Sequence, residues 1–171
     1  MLSTVAIKQV TTTDAKQVVA FLVKMRSQLF PMLNKDVLSP DLANFEMHYL
    51  HKEKTAFFAA FSPTNEVIGT ICVYPYDRRF SHLNDFYPEN TAEIVKCYVD
   101  EKYRRCGIGK QLFQQALSFS QGTYDVLSLH THPFLPGGFA FWQSRGFHTR
   151  FTEKDGVWDT IFMDMKLLPR S

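Results

Sequence analysis

The sequence predicts an α/β protein, a mixed sheet with helices on both faces. Three observations carry this expectation. Runs rich in β-branched and aromatic residues, such as Thr55–Phe61 and Val67–Tyr74, alternate with stretches whose apolar residues recur every three or four positions. The stretch from Thr91 to His132 reads strand, helix, strand, so its two strands should be parallel, near the sheet centre and joined by a right-handed crossover. The hairpin before that unit and the strand pair after it add antiparallel neighbours.

Val5–Val10 fits a first strand. Thr13 or Asp14 then caps a helix whose apolar face is Ala15, Val18, Leu22, Met25 and Leu29. Ser39-Pro40 opens a second helix, with serine at the cap and proline at the first helical position; its buried face is Leu42, Phe45 and Tyr49. "TAFFAAF" and "VIGTICVY" form an antiparallel hairpin across the turn "SPTNE". Pro75–Asn90 shows no clean period. A segment of that length is expected to cover a site, the other reading being a passive surface loop. Thr91–Val99 is a strand. The helix after it turns Ile108, Leu112, Ala116 and Leu117 inward and Lys110, Gln111, Gln114, Gln115 and Ser118 outward, and Gly122 ends it. Tyr124–His132 is a strand, Gly138–Arg145 a short helix stopped by Gly146, and "FHTRF" with "TIFMDMKL" a closing strand pair.

Composition narrows the function classes. A chain of 171 residues suits a single domain, 1–171, with a sizeable core. Apolar residues make up 45%, which fits a globular chain and not a disordered one. A net charge of +2 is too mild to point to nucleic acid or an anionic membrane, and neither is expected as a partner. Cys72, Cys97 and Cys106 show no CxxC spacing, so neither a disulfide framework nor a zinc site is expected, and a reducing cytoplasm is the default. No signal peptide is visible, since the apolar run Val18–Val23 is short and ends at Lys24. His130 and His132 lack a third ligand in sequence, so no metal is expected.

The chemistry concentrates in "YRRCGIGKQLF", Tyr103–Phe113. Glycine is a poor helix former, yet two stand at the mouth of a helix that follows a strand. Free N–H groups at such a helix start, with the helix dipole, hold an anion, most often a phosphate. Gly107 and Gly109 let it approach the main chain, and Arg104, Arg105 and Lys110 surround it with charge. The plainer reading is a tight turn with a solvated basic rim. The P-loop pattern fails, because Arg104 stands where its first glycine belongs and Gln111 follows Lys110. The dinucleotide pattern fails at Leu112.

What remains, Arg104-x-x-Gly107-x-Gly109, resembles the acyl-CoA pyrophosphate motif of the GNAT family of N-acetyltransferases. "AEIVKCYVDEKYRRCGIGKQLF" (Ala92–Phe113) resembles that family's central block, and "FWQSRGF" (Phe141–Phe147) its later block. The resemblance implies a mostly antiparallel twisted sheet of about six or seven strands with splayed parallel central strands, and about four helices. It implies acetyl-CoA as co-substrate, its pyrophosphate on Arg104, Arg105, Cys106, Gly107, Ile108, Gly109 and Lys110. The pantetheine arm would run along Cys97, Tyr98 and Val99 like an added strand. A main-chain N–H near Cys97 or Tyr98 would then polarise the thioester carbonyl.

By the same resemblance Glu93 is the general base. On a regular strand it shares a face with Cys97, although a bulge that the family carries there would change that phase. The other reading of Glu93 is a carboxylate solvated or paired with Lys96 or Arg78. Trp142 departs from the family, which often has an acidic tyrosine there. Indole donates a hydrogen bond but releases no proton, so Trp142 is left to pack on the CoA arm, and Tyr98 is the substitute acid or a packing residue. Leu135 stands where the family often has an asparagine that contacts the arm. One of His130 and His132 lines the acceptor site as a base relay, or both simply end a strand. Phe80 and Phe86 either wall the acceptor pocket or belong to the core.

The expectation is therefore an N-acetyltransferase acting on a primary amine of a small molecule or peptide by direct attack in a ternary complex. Two alternatives stand beside it: a non-catalytic acyl-CoA-binding regulatory domain, and a phosphate-binding module for another nucleotide. Oligomeric state stays open, a homodimer included.

Overall fold

The computed structural model describes residues 5–33, 36–135 and 137–169. Its strands are β1 Ala6–Gln9, β2 Ala56–Phe61, β3 Val67–Pro75, β4 Thr91–Val99, β5 Val126–Thr131, β6 His148–Glu153 and β7 Thr160–Lys166. Its helices are α1 Ala15–Leu29, α2 Pro40–Ala43, α3 Ile108–Ser120 and α4 Gly138–Ser144. The strands form one seven-stranded mixed sheet in the order β1-β2-β3-β4-β5-β7-β6. β4 and β5 are parallel, from Thr91↔Val126 to Glu93↔Ser128, as the strand–helix–strand pattern requires. The pairs β1/β2, β2/β3, β5/β7 and β6/β7 are antiparallel. Contacts group the chain into two compact units: residues up to Tyr74 with Val95–Phe119, and Pro75–Ile94 with the residues from Ser120 on.

In the first unit, Asp14 stands at the cap of α1 as expected, but its carboxylate reaches backward. It accepts from the Thr11 N–H at 3.0 Å and the Thr11 hydroxyl at 3.1 Å, closing a 3-10 turn that precedes the helix. α1 buries Ala15, Val18, Phe21, Leu22 and Met25, so Phe21 widens the expected stripe and Leu29 is only half-buried. α2 lasts a single turn. The Asn44 side chain donates to the Pro40 carbonyl, the competition with helix bonding that makes asparagine a poor interior residue. A π-helical turn follows at Glu46–Leu50, with the His51 N–H donating to the Glu46 carbonyl. Leu42, Phe45 and Tyr49 are all buried, as their spacing predicted.

β2 is buried at all six positions, which marks a strand covered on both faces. In β3, Gly69 leaves room for the start of α3. A Cβ there would lie 3.0 Å from Leu112 Cδ1, 3.2 Å from the Tyr98 carbonyl and 3.3 Å from Ile108 Cγ2. β4 departs from regular geometry at Lys96, whose φ of +54° is left-handed. Such a residue inside a strand bends it and breaks the alternation of its side chains. Two contacts hold Lys96 there: Thr70 Oγ1 donates to its carbonyl at 2.7 Å, and its ammonium pairs with Asp41 at 3.1 Å.

In the second unit, Pro75–Asn90 is irregular but anchored. Ser81–Phe86 forms 3-10 turns. Arg78 donates to the carbonyls of Asn84, Tyr87 and Pro88 at 3.1, 2.9 and 2.6 Å. Leu83 and Tyr87 are buried, and the Tyr87 hydroxyl donates to Asp164 on β7, which Arg150 also holds. The segment therefore owes its order to side-chain bonds on its own carbonyls, which leave no periodic trace in the sequence.

Candidate active site

The turn after β4 is built to expose backbone donors. Asp100 accepts from the Lys102 N–H at 3.0 Å and from the Lys24 ammonium at 2.9 Å, fixing the 3-10 turn Glu101–Tyr103. Arg105 and Gly107 then take left-handed φ values of +64° and +82°. Left-handed residues in such a turn draw successive N–H groups toward one side, as in anion-binding nests. The Gly107 carbonyl accepts from the Gln111 N–H, so Gly107 caps α3, a helix of 13 residues. The N–H groups of Ile108, Gly109 and Lys110 are then first-turn donors without intrahelical acceptors.

Arg105, Cys106, Gly107 and Lys110 are exposed, whereas Ile108 is buried and anchors the helix start. Arg104 is spent differently, its Nε donating to the Val99 carbonyl at 3.3 Å and so bracing the end of β4. A Cβ on Gly107 would meet nothing within 4 Å, so the turn is open on that side. Open main-chain donors with two exposed cations fit a diphosphate.

Cys97, Tyr98 and Val99 are half-buried at the end of β4. The left-handed residue at Lys96 lies between Glu93 and Cys97, so the simple period-two count that put those two on one face does not hold. Burial pushes the Cys97 thiol up to about 12, which keeps it protonated and unfit as a nucleophile. Burial, followed by the neighbouring Cys97 and Asp41, also pushes the Tyr98 phenol up to about 12. That makes Tyr98 a weaker acid than an ordinary tyrosine.

Glu93 is 2% exposed, and Arg79 takes both of its oxygens, Nη1 to Oε1 and Nη2 to Oε2, each at 2.7 Å. Asp77 accepts from the same Arg79 Nη1 at 2.9 Å, and the guanidinium lies 4.3 Å from the centre of the Phe80 ring. His130 Nδ1 is 3.5 Å from Glu93 Oε2. Burial pushes the Glu93 carboxyl up, but His130 and Arg79 outweigh it and hold the group below the usual carboxylate range. The expected partners are thus replaced. Lys96 pairs with Asp41, Arg78 serves backbone carbonyls, and Arg79, which sequence reasoning missed, is the ion-pair partner. Its only trace in the sequence is a cation beside an aromatic residue in the segment without a period.

The two histidines diverge. His132 Nδ1 is 3.0 Å from the Asp159 carbonyl, and its ring stacks on Phe134. His130 faces Glu93, with Phe80 and Phe162 against its ring. Phe80 is half-buried in this cluster, while Phe86 is 55% exposed beneath Arg150. Trp142 is buried in α4 with Phe141 and Phe147 edge-on to its ring. Among the described residues, no three His, Cys, Asp or Glu side chains cluster as a metal site would require, and no helix is long and apolar enough to cross a membrane.

A left-handed residue near the end of β4, a donor-rich turn and a helix capped by Gly107 define a scaffold that can hold an anion beside a strand end. The chain belongs to the GNAT family of acetyltransferases, whose family model matches residues 20–147. That family draws its acetyl group from acetyl-CoA. The fold is similar to that of a GNAT-family acetyltransferase from Staphylococcus aureus Mu50, with a TM-score of 0.76 at 21% identity, covering 96% of this chain and 99% of that one. It is also similar to the ribosomal-protein-alanine N-acetyltransferase of Brucella melitensis, with a TM-score of 0.74 at 20% identity over 95% and 99% of the two chains. The PaiA N-acetyltransferase of Thermoplasma acidophilum, solved with coenzyme A, gives a TM-score of 0.69 at 17% identity over 96% and 99%. No curated protein matches the sequence.

Proposed function

We propose that the protein moves an acetyl group from acetyl-CoA to a primary amine of a small molecule or peptide, by direct attack in a ternary complex. The observation that carries this reading is the exposed turn Arg105–Lys110 at the head of α3, directly after β4. Its first-turn N–H groups, with Arg105 and Lys110, hold the CoA pyrophosphate. The main chain of Cys97–Val99 pairs with the pantetheine arm, and one of its N–H groups polarises the thioester carbonyl. The coenzyme A bound to the PaiA relative supports CoA as the ligand of this fold.

The amine supplies its lone pair only after its ammonium loses a proton. Burial disfavours the Cys97 thiolate that an acyl-enzyme on that sulfur would need, which supports direct attack. With Trp142 packed among phenylalanines, water protonates the departing thiolate, whose pKa near ~8.5 makes it a tolerable leaving group.

The test is thiol release from acetyl-CoA across amines, amino acids, polyamines, aminoglycosides and peptides. Release above the hydrolysis background with one of these classes is expected. Background release with every amine, together with tight CoA binding, would favour a binding domain instead. ATP binding more tightly than CoA would select a nucleotide module.

A further inference from the structure

We propose that the acceptor is a free α-amino acid with a medium-sized apolar side chain, which fills a cavity between α1 and α2 while Arg26 binds the carboxylate. The proposal rests on the reading of the protein as an N-acetyltransferase and names the acceptor class of that reaction. Arg26 is then a specificity-determining residue.

The helix period builds one wall of the cavity. Val23, Arg26, Ser27 and Phe30 stand three and four residues apart, so they share one face of α1 and its end. Val37 and Leu42 close the other side. The cavity measures about 120 Å³. A cavity of roughly 150 Å³ holds a benzene ring, so this one suits a chain of about four heavy atoms, such as that of leucine, isoleucine or methionine. Val23 and Val37 are exposed, and apolar surface of this kind gains from being covered.

Arg26 gives the cavity its polar selectivity. It is half-buried on the apolar wall, and its Nη1 donates to the Val37 carbonyl at 3.2 Å. Among the described residues that is its one hydrogen bond, and no carboxylate pairs with it. Lys24 on the same helix and Lys96 on β4 each meet an aspartate, at 2.9 and 3.1 Å. A planar guanidinium offers a carboxylate two parallel N–H donors, so the anion missing beside Arg26 is one that a ligand can bring. Asp36 also lines the cavity but is exposed, and among the described residues it makes no ion pair with Arg26. Its charge disfavours a second carboxylate on the ligand. The lining therefore fits one carboxylate beside an apolar chain and rejects an acidic chain.

The cavity belongs to the same compact unit as the end of β4 and the turn before α3. Two observations connect it to that strand end. Leu42 follows Asp41, whose carboxylate meets the Lys96 ammonium at 3.1 Å, and Lys96 directly precedes Cys97. Burial, then Cys97 and Asp41, push the Tyr98 phenol up, and Arg26 is the charge that opposes them, so its guanidinium is within electrostatic reach of Tyr98. An α-amino acid carries its amine one carbon from its carboxylate. Held by Arg26, that amine stays beside the guanidinium that acts on Tyr98, in the stretch whose main chain the proposed function sets against the thioester.

The experiment compares kcat/KM from thiol release for leucine, alanine, glutamate and isopentylamine, which is leucine without its carboxylate. It is run in the wild type and in Arg26→Gln, with CoA affinity and Tm as folding checks. In the wild type leucine is expected to exceed alanine about 60-fold, since three more carbon atoms are buried at roughly fourfold each. Leucine should exceed isopentylamine about 30-fold, for the charge-assisted pair, and glutamate should stay below alanine. In Arg26→Gln the leucine-to-isopentylamine ratio is expected to fall to about 1, mainly through the KM for leucine. A purely structural role for Arg26 would lower both amines together and keep the ratio, and that result overturns the assignment. Calorimetry of leucine and isopentylamine on the wild type with CoA bound is independent of any variant's folding. Tighter binding of leucine supports the proposal, and equal binding of the two overturns it. Preferred turnover of a polyamine, an aminoglycoside or a peptide overturns this proposal alone and leaves the N-acetyltransferase reading standing. Background release with every amine, free amino acids included, overturns both.

Discussion

Gly69→Val tests how the start of α3 is held, and its cost can be worked from the contacts. A bare Cβ at Gly69 already comes within 3.0 Å of Leu112 Cδ1, 3.2 Å of the Tyr98 carbonyl and 3.3 Å of Ile108 Cγ2. Carbon atoms in good contact sit about 3.5–4.0 Å apart, so each neighbour must yield by a few tenths of an ångström. Leu112 can rotate, but Ile108 is β-branched and stiff, and the Tyr98 carbonyl belongs to β4. Valine then adds two more methyl groups to a closed space. Overpacking of this kind costs about 1–3 kcal/mol, and two added methyls put it in the upper half, about 2–3 kcal/mol.

At this chain length roughly 2–4 °C of Tm is lost per kcal/mol, so a drop of roughly 4–12 °C is expected in thermal unfolding. The same displacement moves Ile108, the first residue of α3, and with it the N–H groups assigned to the pyrophosphate. One weakened charge-assisted hydrogen bond is worth about 1.5 kcal/mol, so CoA binding by calorimetry should weaken about tenfold. A Tm within about 1 °C of the wild type, with unchanged CoA affinity, would refute the close packing of α3 on Gly69.

Three further outcomes are expected. Gly107→Glu should abolish CoA binding, since it sets a negative charge and a strained left-handed residue in the open turn; unchanged affinity in calorimetry would remove the turn as the pyrophosphate site. Tyr98→Phe should keep its rate within about threefold, because a phenol pushed up to about 12 is a poor proton donor to the thiolate; a loss of about 100-fold would restore Tyr98 as the acid. Partial burial raises the Asp41 pKa, yet Tyr49 and Lys96 hold it far below the usual range. A depressed folded pKa gives stability that is present above the unfolded value near ~3.9 and is lost as pH falls toward the folded one. Asp41→Asn should therefore be less stable at neutral pH but flatter in denaturation midpoint between about pH 5 and pH 2, and an unchanged slope would contradict the pairing.

Local chemistry and element order were legible, and side-chain pairing across the fold was not. The apolar faces of α1 and α3 and the Ser39-Pro40 start of α2 follow from spacing and caps within a few residues, and the parallel pairing of β4 with β5 from the strand, helix, strand order. So does the Gly107 turn, where glycine marks a left-handed φ. Arg105 and Lys96 adopt left-handed φ without that marker, and nothing in their identity announces it. Arg79 reaches Glu93 from a segment ordered by Arg78 on its own carbonyls, so no period connects the two arginines to their different tasks. That His130 and not His132 meets Glu93 follows from the register Glu93↔Ser128, which sequence spacing does not contain.

Lys96 shows how the strand end is kept in its unusual form. A left-handed non-glycine residue costs about 1–2 kcal/mol, and glycine would remove that cost. Glycine would also remove the ammonium that meets Asp41 at 3.1 Å, while Tyr49 donates to the same Asp41 at 2.6 Å. The Thr70 hydroxyl on the Lys96 carbonyl returns about 1 kcal/mol, and a partly exposed ion pair up to about 1 kcal/mol more. The two together roughly offset the strain. Lysine thus keeps the bend at nearly no net cost and adds the ion pair that ties β4 to α2, whereas glycine would keep only the Thr70 bond to the main chain. On the proposed reading, a main-chain donor near Cys97 aimed at a thioester carbonyl would contribute only while it is held in place, a need that a lysine anchored to Asp41 meets better than glycine.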